Sequence, residues 1–136
     1  MNDNDIAQSL HHVVALVSRE SDQILLEQLG IGLAQYKILT TLHESAQAQQ
    51  RAIALALGQT EASISRQIKL LEEKGMLLVS RNPENLREHR TQLSVKGLRV
   101  IEAAEHALSQ YHAKVFVDLG KKQRAQLDEI IHLLKP

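Results

Sequence analysis

The fold is decided by residues 51–79, which read RAIALALGQTEASISRQIKLLEEKGMLLV. A short Ala-rich apolar segment stops at Gly58, because glycine suits a helix end. Thr60 then offers a favourable N-cap for a second helix, which we predict to run to Lys74. Apolar residues recur in both segments at the helical period, so the two helices can pack on each other. These residues are Ile53, Ala54 and Leu57 in the first helix and Ile64, Ile68 and Leu71 in the second.

Two helices joined by a turn of two or three residues form a helix-turn-helix, whose second helix fits the major groove of DNA. The side of that helix away from its apolar stripe carries short polar groups and basic ends, which suit base edges and phosphates. The candidate DNA-binding residues on it are Ala62, Ser63, Ser65, Arg66, Gln67 and Lys69. For Arg66 and Lys69, the alternative is solvation or pairing along the helix with Glu72 or Glu73.

The hydrophobic period changes after the second helix. Residues 76–79 form a short apolar run that predicts a β-strand, and residues 90–93 predict its partner. We expect the polar stretch 82–89 between them to form a loop. Arginines on or beside this loop are candidates for a minor-groove contact, by Arg87, and for phosphate contacts, by Arg81 and Arg90. The alternative is that they keep the edge of a hairpin soluble.

The composition excludes several classes of protein. The chain has 136 residues, 43% of them hydrophobic and 24% charged, which suits one domain, or one domain with appended helices. Its lack of cysteine excludes disulfide scaffolds, thiolate zinc sites and thiol-based redox sensing. No apolar run approaches the roughly 18 residues of a membrane span, and the acidic, polar N-terminus does not resemble a secretory signal. We therefore expect a cytoplasmic protein with no membrane partner.

The formal net charge is zero, but its distribution is uneven. Residues 1–33 carry one basic and five acidic side chains, whereas residues 51–100 carry nine basic and five acidic ones. A basic block within a neutral chain favours a polyanionic partner. The alternative is a solvated face.

Amphipathic helices are also predicted outside this central region. They span residues 6–29, 33–44, 94–119 and 123–134, and a polar linker covers residues 45–50. The central region is too small to bury the apolar stripes of the first helix and the last two helices, so we expect a second copy of the chain to cover them. The alternative is that these helices pack within one chain.

Six segments occur at a characteristic spacing: AQYKIL at 34–39, IALALG at 53–58, TEASISR at 60–66, LLEEKGM at 70–76, RNPENLR at 81–87 and LSVKG at 93–97. In this order they resemble the MarR family of bacterial transcription regulators. The resemblance covers about residues 31–100 by motif. It is specific, because the recognition helix and the following hairpin, or wing, fall at the family's spacing without a gap.

The resemblance implies a mostly α-helical winged helix-turn-helix, with residues 33–97 binding DNA and residues 1–32 and 98–136 forming an intertwined dimerisation region. It implies a regulator, in most cases a repressor, that binds a pseudo-palindromic operator in double-stranded DNA as a homodimer. It also implies release from DNA by a small aromatic or anionic ligand bound between the two regions. Candidate lining residues, by position, are His11, Val14, Tyr36 and Tyr111.

The sequence departs from the family pattern at two kinds of position. Asn85 stands where the family usually has an aspartate two residues before the wing arginine, Arg87, which predicts a less rigid wing. Gly32, Gln49 and Gly120 stand where the family often has Ser or Thr caps, so we expect weaker helix starts there.

Two other functions are compatible with the sequence. A winged helix can dock on proteins without binding DNA, and a salt-dependent interaction with duplex DNA would exclude that alternative. A metal-responsive regulator would use His and Glu ligands. The candidates are Glu102 and His106 on one helix face, with Glu105 and His112 nearby, and His11 and His12 on the first helix. We predict no cofactor, no metal and no enzymatic activity, because the chain has no phosphate-binding loop, zinc-protease motif or nucleophile motif.

Overall fold

The computed structural model describes residues 1–45 and 48–135. In chain order, its elements are α1 (Asp3–Leu29), α2 (Leu33–Glu44), α3 (Gln50–Leu57), α4 (Glu61–Glu73), β1 (Leu77–Asn82), β2 (Asn85–Leu93), α5 (Val95–Val115) and α6 (Lys121–Leu134). The two strands pair in an antiparallel sheet. The predicted mostly α-helical winged helix-turn-helix is therefore confirmed.

The helix-turn-helix has the local chemistry that the sequence predicts. Gly58 ends α3 in the left-handed conformation with φ 63°, and the backbone N–H of Gln59 donates to the carbonyl of Ala54. The Thr60 hydroxyl oxygen accepts from the backbone N–H of Ser63 at 3.1 Å and so caps α4. Gly75, which follows the C-terminal end of α4, also has a left-handed conformation, with φ 76°. These caps fix both ends of α4.

Gly32, Gln49 and Gly120 precede α2, α3 and α6, and none of them makes a capping hydrogen bond with its own side chain. Two of these helix starts are supported in another way. Asp22 of α1 accepts from the backbone N–H of Leu33 at 2.8 Å, so α1 supplies the cap of α2. Gln123 accepts from the backbone N–H of Gly120 at 3.0 Å.

The predicted loop over 82–89 is wrong. The strands continue to Asn82 and resume at Asn85, so the turn between them contains Pro83 and Glu84. Two-residue connections are the commonest in hairpins. The outer part of this one is polar, so it lacks the apolar alternation by which a strand is detected in sequence. Arg87 therefore lies on β2 and not on a loop, and Arg90 lies on β2 as predicted.

Several predicted boundaries also move. α5 ends at Val115 and not near residue 119, α6 begins at Lys121 and not at 123, and Gln50, predicted to end the linker, already belongs to α3. Residues 46 and 47 of that linker lie outside the described residues. α1 begins at Asp3 and not at 6, because Asn2 and Asp5 cap it reciprocally, each accepting from the other's backbone N–H.

One core joins the helix-turn-helix to the flanking helices. Its buried apolar residues come from α1 to α5, from β1 and from the segments between them. They are Leu25, Ile31, Ile38, Leu39, Leu42, Ile53, Ala54, Ile64, Ile68, Leu71, Met76, Leu77, Ile101, Ala104 and Leu108. The predicted packing of α3 on α4 is confirmed. The core holds α4 between α2, α3 and β1, with its opposite face directed outward.

Two helices leave apolar side chains exposed. The first half of α1 exposes Ile6, Leu10 and Val14 by 52%, 51% and 54%. α6 buries none of its residues in the single chain, and Ile130 and Leu134 are 52% and 66% exposed. Among the described residues, no helix combines the length and the apolar character needed to span a membrane.

Candidate nucleic-acid interface

The outer face of α4 is polar and basic. Ala62, Ser65, Arg66 and Lys69 are exposed on it, whereas Ile64, Ile68 and Leu71 are buried on the opposite face. In the described part of the chain, neither basic residue forms a salt bridge with the glutamates at the end of α4. The two positive charges are therefore available to an external anion.

Ser63 and Gln67 lie at the edge of this face. Both are half-buried and make hydrogen bonds within the protein. The Ser63 hydroxyl donates to Gln59 Oε1 at 3.3 Å, and Gln67 Oε1 accepts from Gln35 Nε2 at 3.1 Å. The candidate DNA-binding residues of α4 therefore form two groups: an exposed group, and a half-buried pair whose side chains bond to the preceding turn and to α2.

The wing adds further positive charge beside α4. Arg81 and Arg90 are exposed, and the strand register pairs Ser80 with Arg90 and Arg81 with His89. Because neighbouring residues of a strand point to opposite faces, the two arginines lie on opposite sides of the hairpin. Arg87 lies within β2, and its side chain is outside the described part of the structure.

A cleft of about 460 Å³ lies between α2, α5 and α6. Its size falls within the range of small-molecule sites. Six of the residues that line it are Tyr36, Glu105, Leu108, His112, Phe116 and Arg124. Of the four residues predicted to line a ligand pocket, Tyr36 contributes to this cleft. His11 and Val14 are exposed on α1, and Tyr111 lies on α5 with its ring centroid 6.0 Å from that of His112.

Arg124 closes the corner between α5 and α6 at one side of the cleft. Its Nε donates to the carbonyl of Leu119 at 3.0 Å, and its Nη2 donates to the carbonyl of Phe116 at 2.9 Å. Sequence reasoning did not single out Leu108, Phe116 or Arg124. Residues 105, 108, 112 and 116 are spaced by three or four positions, which places them on one helix face. This spacing could have predicted most of the residues that α5 contributes to the cleft.

Burial raises the pKa of the Tyr36 phenol above its ordinary value of 10.0, and the nearby Glu105 carboxylate raises it further. A phenol whose pKa is higher in the folded than in the unfolded protein stabilises the fold at pH values below the unfolded-state pKa. This stabilisation is lost as the pH rises through the folded-state pKa.

We therefore expect the unfolding free energy of the wild type to fall relative to that of Tyr36→Phe as the pH rises above about 10. Urea unfolding of both proteins from pH 8 to 11 measures the difference, with Tyr111→Phe as the control for loss of a phenol. A constant difference between wild type and Tyr36→Phe across this range would contradict the predicted shift.

The candidate metal ligands do not gather into a site in the described part of the chain. No group of three or more His, Asp or Glu side chains there has the arrangement needed to hold a metal ion. Glu102 and His106 are both exposed on α5. The described residues give no positive support to the metal-responsive alternative.

A helix-turn-helix with a basic outer face, followed directly by a two-stranded hairpin, defines the chain as a winged helix-turn-helix protein. Residues 31–89 match the sequence profile of the MarR family. This match confirms, over these residues, the resemblance that the motifs predict. This family and this fold are those of transcription regulators and not of enzymes.

Known relatives and solved structures agree with this assignment. The HTH-type transcriptional regulator YdgJ of Bacillus subtilis is 24% identical over 102 residues, which are 75% of this chain and 62% of that protein. The chain thus spans less than two thirds of that relative's length.

Among solved structures, a MarR/EmrR family transcriptional regulator from Acinetobacter sp. ADP1 has a TM-score of 0.83 at 21% identity, over 98% of this chain and 95% of that one. A mutant MarR from E. coli complexed with operator DNA has a TM-score of 0.77 at 21% identity, over 100% of both chains. CouR from Rhodococcus jostii RHA1, bound to p-coumaroyl-CoA, has a TM-score of 0.80 at 22% identity, over 93% of this chain and 89% of that one.

Proposed function

We propose that the protein is a sequence-specific regulator of transcription that binds double-stranded DNA through the outer face of α4. The observation that carries this proposal is the exposure of Ser65, Arg66 and Lys69 on one face of α4. No salt bridge within the described residues neutralises the charges of Arg66 and Lys69. The exposed wing arginines Arg81 and Arg90, on opposite sides of the hairpin, add positive charge to the wing that follows α4. A structurally similar MarR is known in complex with operator DNA, which supports the same use of the fold here.

The proposed regulator acts as a homodimer. Ile6, Leu10, Val13 and Val14 form an exposed stripe on α1, and Ile130, Ile131 and Leu134 form one on α6. Exposed apolar stripes of this extent mark interaction surfaces, because soluble chains rarely leave them in water. Burial of both stripes against a second copy would relate the two α4 helices by a two-fold axis. The dimer would then bind a pseudo-palindromic operator and act as a repressor by occupying it.

The cleft lined by Tyr36 is the proposed site of a small effector that releases the protein from DNA. Its walls combine apolar carbon from Leu108 and Phe116 with the polar ends of Tyr36 and His112. Such a lining suits a ligand with an apolar or aromatic body and a polar end. The structurally similar CouR has been solved with p-coumaroyl-CoA bound, which supports a ligand-binding role for the fold.

Arg66→Ala tests the assignment of base recognition. We expect it to cost about 1–3 kcal/mol of operator affinity and to relax the preference at one base of each half-site, as for a bidentate contact to guanine. Fluorescence anisotropy with single-base operator variants measures both effects. Unchanged affinity together with unchanged base preference would contradict the role.

Lys69→Ala serves as the matched comparison on the same face. It should weaken binding to all duplexes alike and reduce the slope of log affinity against log salt by about one, because one phosphate contact is lost. Anisotropy titrations at several salt concentrations measure this slope. A selective loss at one base would contradict the phosphate assignment. If the wild type shows no salt-dependent binding to duplex DNA, the protein-docking alternative is favoured.

A further inference from the structure

Three polar side chains join the recognition helix α4 to the corner between α1 and α2. Lys74 Nζ, at the C-terminal end of α4, donates to the carbonyl of Gly30 at 2.9 Å and to Gln35 Oε1 at 3.4 Å. The amide of the same Gln35 donates through Nε2 to Gln67 Oε1 at 3.1 Å. Gln35, Gln67 and Lys74 are all half-buried. We refer to these three residues as the α4 clamp.

The clamp is directional. Lys74 is a donor without acceptor capacity, so it requires the carbonyl oxygen of Gln35 on its side. That orientation turns the Gln35 NH₂ group toward residue 67, where an acceptor completes the chain. A flipped Gln35 amide would place N–H groups against the ammonium group and break both bonds. The amide is therefore held in one orientation by its two partners.

The C-terminal end of α4 is also held from the other side. Lys96 Nζ donates to the carbonyl of Lys74 at 2.8 Å, and the Ser94 hydroxyl donates to the carbonyl of Gly75 at 2.6 Å. Both residues belong to the start of α5. The recognition helix is therefore tied at one end to α1 and α2 and to α5. α1 carries one of the stripes through which the protein is proposed to dimerise.

We propose that Gln35, Gln67 and Lys74 are positioning residues that set the angle of α4 relative to α1 and α2, and hence the spacing of the two half-sites that the dimer accepts. In this role Gln67 acts through Gln35 and does not read a base. The inference rests on the proposed dimeric DNA-binding function. Base recognition within each half-site stays with the exposed face of α4.

The test compares Gln35→Ala and Lys74→Met with the wild type on the selected operator and on versions with the half-sites one base pair closer or farther apart. Neither residue lies on the exposed face of α4, so neither change removes a base contact. We expect each variant to lose about twofold to tenfold in operator affinity, the scale of one net hydrogen bond. We also expect each to discriminate less than the wild type between the three spacings, with an unchanged preference for bases within a half-site.

Gln23→Ala is the matched control. It removes a glutamine whose Nε2 donates to Glu27 Oε1 at 3.2 Å on the surface of α1, away from α4. It should leave the spacing preference unchanged. Lys74→Arg, which keeps a donor at the same end of α4, should restore most of the discrimination that Lys74→Met loses.

Gln67→Ala separates positioning from base reading. Under the proposal, its effect on affinity and that of Gln35→Ala are not additive, and the double variant resembles either single one. If Gln67→Ala relaxes one base position while Gln35→Ala does not, or if the two effects add fully, the proposal is overturned.

Hydrogen exchange of the free protein distinguishes failure of this inference from failure of the proposed function. Gln35→Ala should speed exchange of backbone amides in α4 more than in α1 or α2. If α4 exchanges as in the wild type although the wild type binds its operator, the clamp has no positioning role. If the wild type binds no duplex at all, the proposed function fails and the spacing role fails with it, whatever the exchange rates.

Discussion

Glutamate at positions 130 and 134 should reduce operator affinity by about 100- to 10,000-fold, because a dimer loses the gain from binding two half-sites at once when it dissociates. Ile130 and Leu134 lie one turn apart on α6 and are 52% and 66% exposed in the single chain. Two buried carboxylates at the proposed seam would be unpaired and would repel their symmetry mates. The combined variant Ile130→Glu with Leu134→Glu should therefore be a folded monomer. Sedimentation equilibrium and anisotropy measure the two effects together.

The matched control places two glutamates on the opposite, polar face of α6, as Ala125→Glu with His132→Glu. Both positions are exposed, and neither belongs to the apolar stripe. This variant should remain dimeric and bind DNA nearly as the wild type does. If the Ile130→Glu, Leu134→Glu variant were also dimeric with wild-type affinity, the proposed dimerisation surface would be wrong.

Gly97→Ala should lower the unfolding free energy by about 3 kcal/mol, the upper end of the usual cost of overpacking. A methyl group at Gly97 would overlap the carbonyl oxygen of Met76. That oxygen also accepts from the backbone N–H of Ser94 at 3.1 Å, so it cannot move away without weakening this bond. The start of α5 must then move away from Met76, which weakens the packing between them. Urea unfolding followed by circular dichroism measures the change.

Gly120→Ala provides the comparison, because Gly120 also lies at the start of a helix and has an ordinary backbone conformation. A methyl group there would meet no atom closer than Gln123 Oε1 at 4.0 Å. We expect a change in unfolding free energy of less than about 1 kcal/mol, because the N-cap preference for glycine over alanine opposes the lower unfolded-chain entropy of alanine. Equal stability of the two variants would show that α5 does not approach Met76 as closely as described.

The sequence was most informative where one local feature determines the structure. Gly58, Thr60 and Gly75 mark helix ends through conformations and side-chain bonds that depend on neighbouring residues. The apolar period of α4 likewise identified Ile64, Ile68 and Leu71 as buried. The helix-turn-helix can therefore be predicted from these local features alone, without information about contacts between distant residues.

The features that the sequence did not reveal depend on contacts between distant residues. The outer parts of the wing strands are polar and have no apolar alternation, so the sequence pattern does not show which of their residues pair across the hairpin. Asp22 caps α2 from 11 residues away, and Gln35 reaches Gln67 from 32 residues away. The helical period predicts Ser63 and Gln67 to be as available to DNA as Ser65 and Arg66, because it does not show which edge of α4 bonds to the preceding turn and to α2.

Selection of bound duplexes from a random pool at moderate salt tests the central claim most directly. Two α4 helices related by a two-fold axis should enrich an inverted repeat with half-sites about one helical turn, roughly 10 base pairs, apart. The enriched sequence should lose its consensus at one base of each half-site when Arg66→Ala replaces the wild type. Failure to enrich any sequence, or enrichment of a single half-site without its inverted copy, would contradict a dimeric operator-binding protein.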